Sequence, residues 1–226
     1  EEARVSGISH FLEHMVFKGS VKRPTAKEIS SAVDSIGGEF NAATSKDWTN
    51  FYIKTGVNNL ETAFDVLSDM VLNPLLKEGG IEREKGTIIQ EIAMYEDTPT
   101  VKIGEVFENL IFAGNSLSRD TAGTAETVKN TIKDDFLRYR EMHYYPENML
   151  ISVAGGVTQN TVEKLTKKYF GKISHPPGEI CKHLAGVMFQ SKQKLPQVKL
   201  KSKKEEQAHF IIGFRAEGRA YRGRFA

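Results

Sequence analysis

At Gly37-Gly38 the period of the hydrophobic pattern changes, and that change restricts the chain to folds that combine helices with strands. Before it, Ile8, Phe11, Leu12, Met15 and Val16 recur at helical spacing across residues 5–18, and Gly19 supplies a stop. Thr25 and Glu28 then stand at capping-box spacing ahead of Ile29, Val33 and Ile36. After it, residues 39–44 and 48–55 are short, aromatic and β-branched, and Ser45-Lys46-Asp47 separates them, which predicts a β-hairpin. Asn59 is placed to cap a helix carrying Ala63, Phe64, Leu67, Met70 and Val71, closed by Asn73-Pro74. Residues 81–96 form an amphipathic helix with Ile81, Ile88, Ile92 and Tyr95 as its stripe and Pro99 beyond its end. Further helices are predicted at 101–112, 125–129 and 132–143. Residues 149–154 read as a buried strand, and a Thr158-capped helix runs to Phe170 with Gly171 closing it.

The tail differs. Ser174-His175-Pro176-Pro177-Gly178 has the turn chemistry of a linker. Beyond it, 197–201 and 208–214 alternate around Lys203-Lys204-Glu205-Glu206, a hairpin that opens a second domain. The chain stops at Ala226 and opens at Glu1 rather than at a methionine, so it reads as a fragment clipped at both ends.

Composition narrows the classes. Among 226 residues, 31 lysines and arginines nearly cancel 29 aspartates and glutamates, leaving +2, so neither nucleic acid nor an anionic membrane is expected as partner. The lysines of 192–204 adjoin Glu205 and Glu206 and lack aromatic platforms, as in a solvated hairpin. The single cysteine, Cys181, allows no internal disulfide and suits a reducing compartment. Apolar runs fall short of the roughly 18 residues of a membrane-spanning helix.

The chemistry concentrates in Ser9-His10-Phe11-Leu12-Glu13-His14-Met15. On a helix, His10 and His14 project from one face a turn apart, the spacing at which two imidazoles hold one zinc ion. Glu13 shares that face and can reach a zinc-bound water as general base without being a ligand. Catalytic zinc takes a third protein ligand. Its best candidate is Glu91 on the 81–96 helix, with Glu84 two turns earlier to orient a histidine or Glu91 itself. That helix is dense in glutamate, so spacing alone does not single out Glu91. His143, His175, His183 and His209 have no ligand spacing, and Trp48 reads as packing within a strand.

The order His-x-x-Glu-His resembles the inverzincin signature of the pitrilysin-type (M16) peptidases. The resemblance extends over residues 7–20, over Gly37-Gly38-Glu39-Phe40-Asn41-Ala42-Ala43-Thr44, and over Glu91-Ile92-Ala93-Met94-Tyr95-Glu96-Asp97-Thr98-Pro99, which is most similar to the bacterial and organellar processing branch. It reaches Tyr145-Pro146-Glu147-Asn148-Met149 as well, whereas Asn115-Ser116-Leu117-Ser118-Arg119 lacks the His-Pro pair of many relatives. The resemblance implies an α+β fold, a mainly antiparallel sheet covered by helices, as the first of two similar domains. Residues 1–185 would be the zinc-binding domain without its opening strands, and 186–226 the start of the second. It implies His10, His14 and Glu91 as ligands of one Zn2+ per chain, Glu13 as catalytic base and Glu84 as supporting carboxylate. Asn41, Ala42 and Ala43 would form an edge strand to which a peptide substrate adds as a further β-strand. The implied activity is zinc-dependent endopeptidase cleavage of extended or unfolded peptides; a non-catalytic scaffold subunit of the same fold is the alternative. The implied partners are the C-terminal half and a homo- or heterodimer mate. The second domain's substrate-holding arginine and tyrosine would lie beyond Ala226, so that the fragment alone would bind zinc yet cleave poorly or not at all. The implied compartment is the bacterial cytoplasm, with the mitochondrial matrix as alternative.

Overall fold

The computed structural model describes residues 1–173, 193–204, 206–216 and 221–223. The expected linker at 174–178, with His175, Cys181 and His183, lies outside the described residues.

Helix α1 (Ile8–Val16) is the centre of the core, with Ile8, Phe11, Leu12, Met15 and Val16 all buried. Its start is fixed twice. The Glu1 carboxylate accepts from Gly7 N (3.0 Å), Ser9 N (2.9 Å) and Ser9 Oγ (2.6 Å), satisfying donors that a helix N-terminus leaves open. Gly7 has φ +93°, and a Cβ there would sit 2.5 Å from the Ala122 carbonyl oxygen. Gly123 has φ +74°, and its Cβ would meet the Ser6 oxygen at 2.2 Å. Only glycines let these two backbones approach so closely.

Thr25 caps α2 (Ala26–Asp34), its hydroxyl accepting from Glu28 N at 3.2 Å and donating to the Glu28 carboxylate at 2.7 Å. The texture change beyond Gly37-Gly38 gives β1 (Glu39–Thr44) and β2 (Thr49–Lys54), antiparallel, with Glu39 opposite Lys54 and Thr44 opposite Thr49. Their inner face carries Phe40, Ala42 and Thr44; Phe17 packs there at 5.5 Å from Phe40 and 6.4 Å from Phe51. Trp48 sits in the turn, not in a strand, and is 48% exposed.

Asn59 does not cap its helix. A 3-10 turn, Val57–Asn59, precedes α3 (Leu60–Leu72), and Asn59 Nδ2 donates to the Ile36 carbonyl at 3.2 Å, tying α3 to the end of α2. Helix α4 (Glu78–Asp97) runs longer than its apolar stripe, and α5 (Pro99–Ile111) starts with Pro99 in its first turn, where a missing N–H costs nothing. Then follow α6 (Ala125–Asn130), α7 (Lys133–His143) and α8 (Gln159–Phe170), the last capped by Thr158. Helix α7 packs on α1 through Phe136 and Phe11, edge to face at 4.9 Å, and α8 packs on α3 through Phe64, 6.3 Å from both Tyr169 and Phe170.

The protein is therefore helix-dominated with a small antiparallel sheet. Two expected strand regions form no ladder among the described residues. In 149–154 half-buried Ile151 and Val153 alternate with exposed neighbours, Leu150 being 93% exposed. An open cavity of about 1030 Å³ is lined by both β2 and this segment, and among the described residues β2 is laddered to β1. In the tail, Val198, Leu200, Phe210, Ile212 and Phe214 are exposed and belong to no ladder among the described residues.

Candidate metal centre

Helices α1 and α4 cross so that their polar positions meet. On α1 the residues not committed to the core, His10, Glu13 and His14, share one half-exposed face. On α4 the buried stripe is Ile81, Glu84, Lys85 and Ile88, so two charged residues interrupt the apolar positions. Glu84 is buried because its partners are there. Its Oε1 accepts from His14 Nδ1 at 2.9 Å, and its Oε2 pairs with Lys18 Nζ at 2.7 Å. Burial alone would raise the Glu84 pKa, but Lys18 and His14 outweigh it and hold the carboxyl below its ordinary value. With Nδ1–H committed to Glu84, the His14 lone pair is left on Nε2.

That Nε2 lies 3.2 Å from His10 Nε2 and 3.6 Å from Glu91 Oε2, and His10 Nε2 lies 3.6 Å from Glu91 Oε1. Four ligands at 2.0–2.1 Å in a tetrahedron stand about 3.3 Å from one another. The donor set therefore has the size and chemistry of a zinc site with one position open. Among the described residues, His10, His14 and Glu91 are the one group of three or more such side chains close enough to hold an ion. Burial, and next the neighbouring His14, keep the His10 pKa below the usual histidine value, favouring the neutral ring that ligates metal. The three side chains are 13%, 22% and 21% exposed, so water reaches the cluster.

Two further contacts complete the centre. Thr44, at the end of β1, donates its hydroxyl to Glu13 Oε2 and lies 3.3 Å from the Thr49 hydroxyl opposite. Tyr95 Oη donates to Glu91 Oε1 at 2.5 Å, and that bond, ahead of burial, pushes the phenol up to about 12. Neither contact is evident from the sequence pattern. Tyr95 is marked only by standing four residues after Glu91, and Thr44 meets Glu13 through the tertiary fold. Lys18 likewise stands four residues after His14. His143 ends α7 with its ring 4.3 Å from that of Tyr139, apart from the metal cluster. Asn41, Ala42 and Ala43 lie on β1, whose only ladder among the described residues is to β2; Asn41 and Ala43 face outward, and Asn41 Oδ1 accepts from Ala42 N at 2.9 Å.

Comparison with known proteins bears on this geometry. A family profile described as Insulinase (Peptidase family M16) matches residues 1–125, and one described as Peptidase M16 inactive domain matches 131–226. The chain is 35% identical to an uncharacterized zinc protease of Streptomyces coelicolor, over 100% of its own length and 49% of that protein's. It is 35% identical to the mitochondrial-processing peptidase subunit beta of Caenorhabditis elegans, over 77% of this chain and 38% of that one. The fold is similar to that of a protease from Helicobacter pylori, with a TM-score of 0.74 at 25% identity, covering 79% of this chain and 43% of that one. It also matches pitrilysin with a TM-score of 0.67 at 23% identity, covering 80% and 20%. The chain spans about half the length of the curated bacterial relatives it matches.

Proposed function

Because the chain belongs to the M16 peptidase family, we propose that it is the catalytic half of a zinc endopeptidase, holding one Zn2+ on His10, His14 and Glu91. The observation that carries this reading is the meeting of two Nε2 atoms and a carboxylate at 3.2–3.6 Å, with the Glu13 carboxylate on the same helix face. When bound, zinc supplies the Lewis acidity that acidifies a water and polarises a peptide carbonyl.

The protein groups do the rest. Glu13 takes a proton from the attacking water and returns it to the departing amine. Thr44 keeps the Glu13 carboxylate turned toward the cluster. Glu84, itself compensated by Lys18, holds the His14 ring in the tautomer that presents Nε2. Strand β1 offers its outer edge at Asn41, Ala42 and Ala43, so an extended or unfolded peptide can add as a further strand; β-augmentation reads backbone more than side chains.

The domain division belongs to the same proposal. Although the family profile changes between residues 125 and 131, α7 and α8 pack on α1 and α3. That supports a unit that includes α8, as far as Phe170, and we place its end at about residue 185, with 186–226 opening a second domain. The C-terminal half, and a homo- or heterodimer mate, are the proposed partners. The bacterial cytoplasm is the favoured compartment, since several matching relatives are bacterial, with the mitochondrial matrix as alternative.

The test is zinc content and hydrolysis of an unstructured peptide by the full-length protein and its Glu13→Gln variant. We expect about one zinc per chain in both, with turnover in the variant lower by roughly 10²–10⁴-fold. Equal hydrolysis in the two would remove Glu13 from its role, and metal binding without turnover in either would leave the scaffold reading.

A further inference from the structure

Each ligand differs in what holds it. His14 is oriented by Glu84, whereas His10 Nδ1 is buried without a hydrogen-bond partner among the described residues. Glu91 is a longer, more flexible side chain, 21% exposed, with three torsions to fix. What fixes it is Tyr95, one turn further along α4, whose phenol donates to Oε1 at 2.5 Å.

We propose that Tyr95 is a positioning residue for the metal, its hydrogen bond to Glu91 holding the carboxylate in the orientation that ligates zinc. This inference rests on the metal-site reading above. The geometry is specific: Oε1 accepts from the phenol while facing His10 Nε2, and Oε2 faces His14 Nε2, both at 3.6 Å. A phenol donates a single proton, so it occupies one lone pair of Oε1 and leaves the others available to a cation. As a neutral donor it also leaves the negative charge of Glu91 in place, which a lysine at the same position would cancel. The Tyr95 ring is itself half-buried, so its hydroxyl is held from a packed body rather than from a free surface chain. Hydrogen bonds of this kind to ligating side chains are typically worth about 10–100-fold in metal affinity.

The test uses the full chain with zinc alone. Zinc dissociation constants are measured by competition with a chromophoric chelator in the wild type, in Tyr95→Phe, and in Met94→Ala, a control on the exposed side of the same helix. Thermal melting of each metal-free protein is measured alongside. The expected result is a zinc Kd raised about 10–100-fold in Tyr95→Phe and unchanged in Met94→Ala. Metal-free melting of Tyr95→Phe should stay within about 2 °C of wild type. A Kd within about twofold of wild type overturns the inference. So does a large fall in metal-free melting, which would make Tyr95 a packing residue. A wild-type chain without measurable zinc affinity overturns the metal-site reading itself, and this inference with it.

Discussion

The contact between Thr44 and Glu13 places a single hydroxyl on the proposed catalytic base. Thr44 is brought to Glu13 by the packing of the hairpin's inner face on α1. A hydrogen bond to a charged group contributes about 1.5–3 kcal/mol. Thr44→Val should therefore lower kcat/KM of the full-length enzyme by roughly tenfold or more, with zinc content unchanged and activity restored in Thr44→Ser. Peptide hydrolysis beside metal analysis checks this; equal loss in both variants would rule out the hydrogen bond as the cause. The residues of the centre differ in how far the sequence announces them. His10, Glu13 and His14 are legible because helical geometry converts their spacing directly into a shared face. Glu91 sits among several helical glutamates and is singled out in the sequence only by family resemblance. Thr44 is silent, because nothing local says that the end of a strand will meet a side chain 31 positions earlier.

At the scale of elements, the helices and the hairpin follow the hydrophobic period closely, and departures occur where tertiary contact overrides a local signal. Asn59 has the chemistry of a cap but spends its amide on the Ile36 carbonyl. Residues 149–154 alternate like a strand but have no ladder partner among the described residues, and pairing is something a sequence pattern cannot supply by itself. Helix α7 shows a titratable link between elements. The hydrogen bond from Arg4 holds the Asp135 carboxyl below its ordinary range; burial opposes this, and the Ile132 N–H adds to it. The folded protein then binds that proton less readily than the unfolded chain. The resulting stabilisation is complete above about pH 4, where the unfolded carboxyl is already ionised, and is lost as pH falls through the lower folded value. The melting-temperature deficit of Asp135→Asn should accordingly be large near pH 7 and shrink steadily below about pH 4. A deficit independent of pH would exclude this linkage.

For the whole molecule, the proposed metal centre would act as a cross-link between α1 and α4, helices whose candidate ligands His14 and Glu91 stand far apart in the sequence. An ion bound only by the folded state stabilises by mass action. At a free zinc concentration 100 times Kd the gain is about 2.7 kcal/mol, or roughly 5–10 °C in melting temperature for a chain of this length. Differential scanning of the metal-free protein with and without zinc should show that rise, and Glu91→Ala should abolish it. A rise that survives in Glu91→Ala would mean zinc binds elsewhere. The close approach of Gly7 to Ala122, and of Gly123 to Ser6, carries the matter into biosynthesis. The first turn of α1 is seated against backbone that leaves the ribosome more than a hundred residues later, after every ligand has been made. A nascent chain can coil that helix and lay it on the hairpin and on α4, but its first turn gains its seat only when residues 122–123 emerge, past the midpoint of these 226 residues. Truncation before that point should leave α1 frayed at the end nearest His10.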